Sequence, residues 1–434
     1  MAKPPDSKRR RPSAQRRGRR HTLYAVTLSL LFMWTIAACF GILPRLQLLG
    51  SIPAADSKPP ESTASSLLDE SPSSALPEPE PEPVVETVNF SATGDNLIHA
   101  PIYKQAARRA GNTGRYDFDY CYEHVAPFYA QQDVNWINQE TLCSDTMEPS
   151  SYPSFSTPGD CARALYRAGI RVFSLSNNHT YDKGASGIAA TLQFWDSMPE
   201  DVITTGLWQG ESDYDRIPLQ TVNGVTIAYL SYTEHTNGIP QSKAMTANVI
   251  YTSQTHLIER QVRLARQQAD FVVVGMHWGV ENSHTITEGQ RVLAQQLADW
   301  GADVIVGTHP HVLQDAQWLT AEDGRQSFVA YSLGNFISTQ NKPDQLVGAI
   351  LTIQMQKITQ PDGTVQCAVL MPQLHPTVTH YDAGKSNVRT YLFRDYTQEL
   401  AHSHGVRENY SDFSLDSARK IAQNNISVDF LALT

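Results

Sequence analysis

Thiolate-rich sites can be set aside first. The chain has only five cysteines and no Cys-x-x-Cys pair, so a thiolate zinc site has no ligands to build on. Basic clusters are missing too, once the first twenty residues are set apart. That arm holds nine Lys or Arg and one acid; removing its +8 from the net charge of −10 leaves −18 on the rest. A nucleic-acid partner needs a basic surface, and this sign excludes one. Charge of either sign is absent from Thr22 to Pro44.

That uncharged stretch contains the apolar run Leu23 to Leu43, long enough to span the hydrocarbon of a bilayer as a helix. Arginines crowd its N-terminal side, which keeps the N-terminus in the cytoplasm and sends the remainder outside. A cleaved signal peptide would have a shorter apolar core followed by a small-residue cleavage site, and Ser51-Ile-Pro-Ala-Ala55 is a poor one. The expectation is therefore a single-pass cell-membrane protein with an extracytoplasmic main domain. The chain divides into a basic cytoplasmic arm (1–21), a transmembrane helix (22–44), a Pro/Ser/Glu-rich linker (45–84), a folded domain (85–385) and a C-terminal tail of unknown role (386–434). Pro77-Glu-Pro-Glu-Pro-Glu-Pro83 is extended and stiff by composition. Cys121, Cys143, Cys161 and Cys367 lie outside the membrane run, where disulfides are permitted. Cys143 with Cys161 is one pairing, and four free thiols is the alternative.

Within the folded domain, apolar runs alternate with helical periodicities. Strands are expected at Val85–Thr93, Val134–Ile137, Ile170–Ser176, Asp270–Met276, Val304–Val306 and Phe328–Tyr331. Helices are expected at Leu97–Ala110, Pro158–Ala168, Ala185–Trp195, Thr255–Ala269 and Ile286–Trp300. Asn223-Gly224 joins two further runs as a hairpin. Leu346–Gln354 and Val365–Leu370 form a last hairpin across Pro361-Asp-Gly363, and beyond Arg389 the pattern fades. The class is α/β, with mixed β-sheet layers flanked by helices.

Polar residues with ligand chemistry stand just after strand after strand: Asp95, Glu140, Asn178 with His179, His277, and His309 with His311. Any one of them reads as an ordinary loop residue. Five strand ends that all offer oxygen or imidazole nitrogen read as a metal site at the carboxyl edge of a sheet. Two carboxylates, an amide and three histidines suit divalent Zn, Mn or Fe, in number enough for two adjacent ions if one carboxylate bridges. In His309-Pro310-His311, an extended or turn backbone would turn both imidazoles to one side, with Gly307 ending the strand before them. His179, next to Asn178, serves either as a catalytic proton donor or as a packing histidine.

These stretches resemble bacterial CapA-type proteins of capsule and poly-γ-glutamate synthesis, which look like divergent calcineurin-like metallophosphoesterases. The resemblance is carried by Thr93-Gly-Asp95, Asn138-Gln-Glu140, Ser176-Asn-Asn-His-Thr-Tyr-Asp-Lys-Gly184, His277-Trp-Gly-Val-Glu281, Val306-Gly-Thr-His-Pro-His-Val-Leu-Gln314 and Tyr331-Ser-Leu-Gly-Asn-Phe336. It implies a metallophosphoesterase-like fold with Asp95, Glu140, Asn178, His277, His309 and His311 on the metals and His179 beside the reacting phosphate. Asp182 and Glu281 would each orient a histidine or else be solvated loop acids; Asn335 and Ser332 would line the site or simply form a turn. Three departures stand out: Leu97 where such enzymes carry a histidine, Glu140 where they carry an aspartate, and Gln139 where the family commonly has leucine. The implied role is synthesis, export or attachment of an anionic capsule polymer by a metal-dependent hydrolase. The alternatives are a non-catalytic accessory subunit of a membrane synthase, and a phosphoesterase unrelated to capsule.

Overall fold

The computed structural model describes residues 81–433. The expected arm, membrane helix at 22–44 and most of the linker lie outside the described residues. Among the described residues no helix is long and apolar enough to cross a membrane.

Strand β1 (Val84–Asn96) is the centre of a first sheet. Val88, Phe90 and Ala92 recur at period two and are fully buried, as one face of a strand requires. Strands β2 (Val134–Asn138), β3 (Val172–Ser174) and β4 (Ile203–Thr205) follow beside it, all parallel. Helices α1 (Ala100–Arg109), α2 (Asp160–Ala168) and α3 (Gly184–Asp196) make the crossovers.

The chain then builds a second sheet. Strands β5 (Leu219–Val222) and β6 (Val225–Thr233) form the expected hairpin, with Asn223 and Gly224 both at positive φ. Next come α4 (Thr255–Gln268), β7 (Phe271–His277), α5 (Glu288–Trp300), β8 (Val304–Thr308), β9 (Leu313–Thr320) and β10 (Gln326–Leu333). Their order across the sheet is β9-β10-β8-β7-β6-β5, parallel at the heart and antiparallel at both edges. The start of α5 is set by a capping box between Thr287 and Gln290, which moves it two residues later than the apolar period alone suggests.

Finally the chain returns to the first sheet. Strand β11 (Asn335–Ile337) runs parallel to β1. Strands β12 (Val347–Thr359), β13 (Val365–Asp382) and β14 (Ser386–Leu392) extend the sheet antiparallel on its other side. Prolines 372 and 376 make β13 look short in sequence. It is 18 residues long because Met371 and Pro372 form a bulge opposite Ile353, where no ladder donor is needed.

The two sheets pack face to face. Phe271, Val273, Val304, Val306 and Phe328 point into the core shared with Phe90, Trp136 and Ile350. Their neighbours Val272, Val274, Met276 and Ile305 point the other way, under Val262, Leu293 and Leu297 of α4 and α5. Both faces are covered, so these strands read as continuous apolar runs rather than alternating ones. Cys121, Cys143, Cys161 and Cys367 are all free; the Cys143–Cys161 bridge does not form.

The residues beyond 385 fold against the first sheet through β14 and α6 (Leu415–Asn425). His404 fixes this region. Its Nε2–H donates to the Thr379 carbonyl at 3.0 Å, and its Nδ1 accepts the Val406 N–H at 2.9 Å. Burial holds its pKa down to about 3. Protonation would set a second donor against the Val406 N–H. The unfolded chain takes up a proton below its ordinary pKa of about 6.5, while the folded chain refuses it. Stability must therefore fall as pH drops from about 6.5 toward 3. The expected loss from this one group between pH 7 and 5 is about 2 kcal/mol. Urea unfolding of wild type and His404→Gln at both pH values checks this: the variant should show the shallower pH dependence, and equal slopes would refute the assignment.

Candidate metal centre

The parallel strands of both sheets end on the same side, and their ends supply the site. β1 carries Asp95 one residue before its end, β2 leads into Glu140, β3 into Asn178, β7 ends in His277, and β8 leads into His309 and His311. All six side chains are buried.

Two glycines bring the elements together. The expected strand at Val85–Thr93 runs on through Gly94, and a Cβ there would collide with the Gly334 carbonyl oxygen. That carbonyl accepts the Asp95 N–H at 2.9 Å. Gly307 was expected to end β8, yet the strand runs through Thr308, and a Cβ at 307 would collide with the Tyr331 carbonyl. Gly94→Ala and Gly307→Ala should each cost about 1–3 kcal/mol by overpacking and weaken metal binding. Thermal unfolding with and without Mn²⁺ is the check, and wild-type stability in both variants would contradict it.

Of the two backbones expected from the sequence, extended or turn, the histidines take a turn. His309 has φ 96° and His311 φ 58°, left-handed values that cost a non-glycine residue about 1–3 kcal/mol. The turn is pinned by the Asn282 N–H on the Pro310 carbonyl at 2.7 Å and the His309 N–H on Asp95 Oδ2 at 3.3 Å. It separates the two rings, whose centroids are 6.1 Å apart, and gives each a different set of neighbours.

His311 joins Asp95 and Glu140. One ligand atom from each of the three lies within 4.8 Å of the others, a spacing that could hold a metal ion. His311 Nδ1 is 3.1 Å from Asp95 Oδ2 and 3.0 Å from Asn335 Oδ1, and its Nε2 is 3.6 Å from Glu140 Oε1. His309 joins His277 and Asn178. His277 Nε2 is 3.1 Å from Asn178 Oδ1, 3.2 Å from His309 Nδ1 and 3.9 Å from Glu140 Oε1. On its other side His277 Nδ1 is 3.0 Å from Thr308 Oγ1 and 3.4 Å from Asn138 Nδ2. Glu140 stands between the two groups.

The donor set fits a cation. Both Glu140 carboxylate oxygens are buried without a hydrogen-bond partner, a costly state unless a positive charge offsets it. Burial pushes the Glu140 carboxyl well up; His311 opposes this and Asp95 adds to it. For His311 burial works downward, but the Glu140 and Asp95 carboxylates outweigh it and raise the imidazole to about 10. A proton shared between Glu140 and His311 is thus the charge that the cluster takes when no metal supplies one. His277 is held far below its ordinary pKa by burial and by its neighbours His309 and His311. It is neutral, as a ligand must be.

His179 lies beside the second group with Nδ1 2.8 Å from Asp182 Oδ2, and Asp182 also accepts the Phe155 N–H at 2.6 Å. Glu281 is exposed and makes no hydrogen bond to a histidine among the described residues. Asn335 touches His311 and also donates to the Gln345 carbonyl at 2.9 Å. Ser332 instead ties the Val312 carbonyl at 2.7 Å. Leu97 is a core residue whose N–H donates to the Ile337 carbonyl at 3.0 Å. Sequence reasoning passed over Asn138, which donates to Asp95 Oδ1 at 2.7 Å, and over His99 and His235, which stand alone in their loops.

Two mixed sheets meeting at a buried carboxylate–histidine cluster define an α/β protein with a candidate divalent-metal centre. The chain belongs to the family of the bacterial capsule synthesis protein PGA_cap, whose profile matches residues 89–340. It is 32% identical over 238 residues to the capsule biosynthesis protein CapA of Bacillus anthracis, covering 52% of this chain and 55% of that one, so it spans about half that relative's length. It is 26% identical over 339 residues to the PGA biosynthesis protein CapA of Bacillus subtilis (strain 168), covering 77% of this chain and 84% of that one. Among solved structures, the NAD nucleotidase NadN of Haemophilus influenzae is a loose likeness. Its TM-score is 0.38 at 12% identity, over 80% of this chain and 57% of that one.

Proposed function

We propose that this protein acts in capsule polymer synthesis as a metal-dependent hydrolase at a phosphoester or acyl bond, with poly-γ-glutamate as the polymer. Family membership supports the capsule role. One observation carries the hydrolytic reading: Glu140, with no hydrogen bond to either oxygen, is buried between Asp95 with His311 on one side and His277 on the other. Asp95, Glu140 and His311 would hold one ion, and Glu140, Asn178, His277 and His309 a second. Bound divalent ions of the Mn, Zn or Fe type would supply Lewis acidity and a more acidic water.

The chain's own residues do the rest. Asp182 fixes the His179 ring through Nδ1, leaving Nε2 to give a proton to a leaving oxygen. Thr308 and Asn335 orient His277 and His311 from behind, as outer partners of metal ligands do. The uncharged run at 22–44 would anchor the protein with this domain outside the cell, close to membrane synthase subunits and to an anionic polymer.

Elemental analysis of the purified full-length chain tests the reading, followed by a phosphoester and polymer-cleavage screen. About two transition metals per chain are expected, lost in His309→Ala and Asp95→Ala. No metal after reconstitution would remove the hydrolase and leave an accessory role beside a synthase.

A further inference from the structure

Gln139 stands out in the sequence of the site, and the chemistry above leaves it unused. It follows β2, directly before Glu140, and is 1% exposed. Three hydrogen bonds hold its side-chain amide. Nε2 donates to the Thr141 carbonyl at 2.8 Å and to Thr141 Oγ1 at 3.1 Å. Oε1 accepts from Asn96 Nδ2 at 2.7 Å. A carbonyl oxygen can only accept, so Nε2 must face Thr141 and Oε1 must face Asn96. A buried amide satisfied in this way has one orientation.

The partners are neighbours of the ligand-type residues. Asn96 follows Asp95, and Thr141 follows Glu140. Asn177 precedes Asn178 and donates from Nδ2 to the Gln139 carbonyl at 3.0 Å. Its Oδ1 also accepts the His179 N–H at 3.0 Å. The Gln139 N–H in turn donates to the Ser174 carbonyl of β3 at 3.0 Å. Three strand ends of the first sheet, those of β1, β2 and β3, are thus tied together at Gln139. Asn96, Thr141 and Asn177 are all buried too. Neither oxygen of Glu140 takes part, since neither has a hydrogen-bond partner. That side chain is aimed by the backbone that carries it, and Gln139 bonds across that backbone.

We infer that Gln139 is a positioning residue of the metal centre: its amide closes the turn around Glu140 and ties that turn to the strand end of Asp95, so that both carboxylates meet the ions at a set separation. This role rests on the metal-centre reading above. Two buried carboxylates repel each other until a cation lies between them, and a loose turn would let them part. An apolar side chain at 139 would fill the space without holding the turn. It would also leave Asn96 Nδ2 and the Thr141 carbonyl short of a buried partner. The hydrogen bonds that orient ligands set metal affinity from outside the ligand sphere. Here they act on the backbone beside a ligand instead of on its carboxylate.

Calorimetric titration of Mn²⁺ into the full-length chain tests this, with the visible spectrum of the Co²⁺-saturated chain as a second readout. Gln139→Met keeps the length of the side chain and removes its amide. Thr141→Val keeps the shape and removes one of the two contacts that Gln139 makes there, a milder variant should the first not fold. Thr157→Val is the control: its hydroxyl donates to Thr141 Oγ1 at 2.7 Å, in the same network but without a bond to Gln139. The expected result is Mn²⁺ affinity weakened about 10–100-fold in Gln139→Met, less in Thr141→Val and not at all in Thr157→Val. The Co²⁺ spectrum should change in Gln139→Met and keep the parent's form in Thr157→Val. Metal-free thermal midpoints should fall in all three, which separates lost stability from lost geometry. Parental affinity and spectrum in a folded Gln139→Met would overturn the role; if that chain does not fold, parental affinity in Thr141→Val would do so. Equal weakening in Thr157→Val would also overturn it, by making the network one of packing alone. A parent chain that binds no Mn²⁺ would overturn the metal centre and this role together, before any variant is made.

Discussion

Mn²⁺ or Zn²⁺ added to the metal-free chain should raise its thermal midpoint by about 5 °C, and Glu140→Gln should abolish that rise. The Glu140 carboxylate is fully buried, and neither oxygen has a hydrogen-bond partner. Such a group destabilises the metal-free fold, relieved only by a proton shared with His311. An ion bound a thousandfold above its dissociation constant contributes about 4 kcal/mol. A chain of this size converts that into a few degrees. Glutamine has the same shape and no charge, so the variant should match or exceed the parent's stability without metal. It should fall below the parent with metal present. A rise of equal size in Glu140→Gln would show that this carboxylate is not a ligand. A destabilised metal-free variant would show that its charge is already balanced in some other way.

The heart of both sheets was legible because their strands are buried on two faces. Runs such as Phe271 to Met276 contain almost nothing but apolar residues, and the helices between them have clear periods. The edges were harder to read. β9 (Leu313–Thr320) carries Gln314, Asp315 and Gln317, and this polar content hides the period of two. The bulged half of β13 hid behind its prolines. For the candidate site, strand-end position singled out six polar residues that the fold brings together, because the carboxyl ends of parallel strands converge wherever the sheet folds. It could not assign partners. Which histidine faces which carboxylate depends on the left-handed turn at His309 and His311, and on two glycines chosen for backbone contact rather than for turns. Isolated residues such as His99 and His235 carry no local pattern, and only the packing of separate loops places them at the cluster.

His179→Asn should leave metal content unchanged and lower kcat on alkyl phosphoesters by about 10²–10⁴. The variant keeps a polar side chain but cannot give up a proton to a leaving oxygen. The loss should shrink sharply on aryl esters, whose leaving groups depart without protonation. That dependence on the leaving group separates a proton donor from a packing residue, because damage to the fold would slow both substrates alike. Asp182→Asn should give a smaller loss with the same preference: its amide still reaches His179 Nδ1 and the Phe155 backbone but no longer supports the charged imidazole. Equal losses on alkyl and aryl esters would assign His179 to packing against Phe155, at 4.7 Å. The proton would then have to come from solvent.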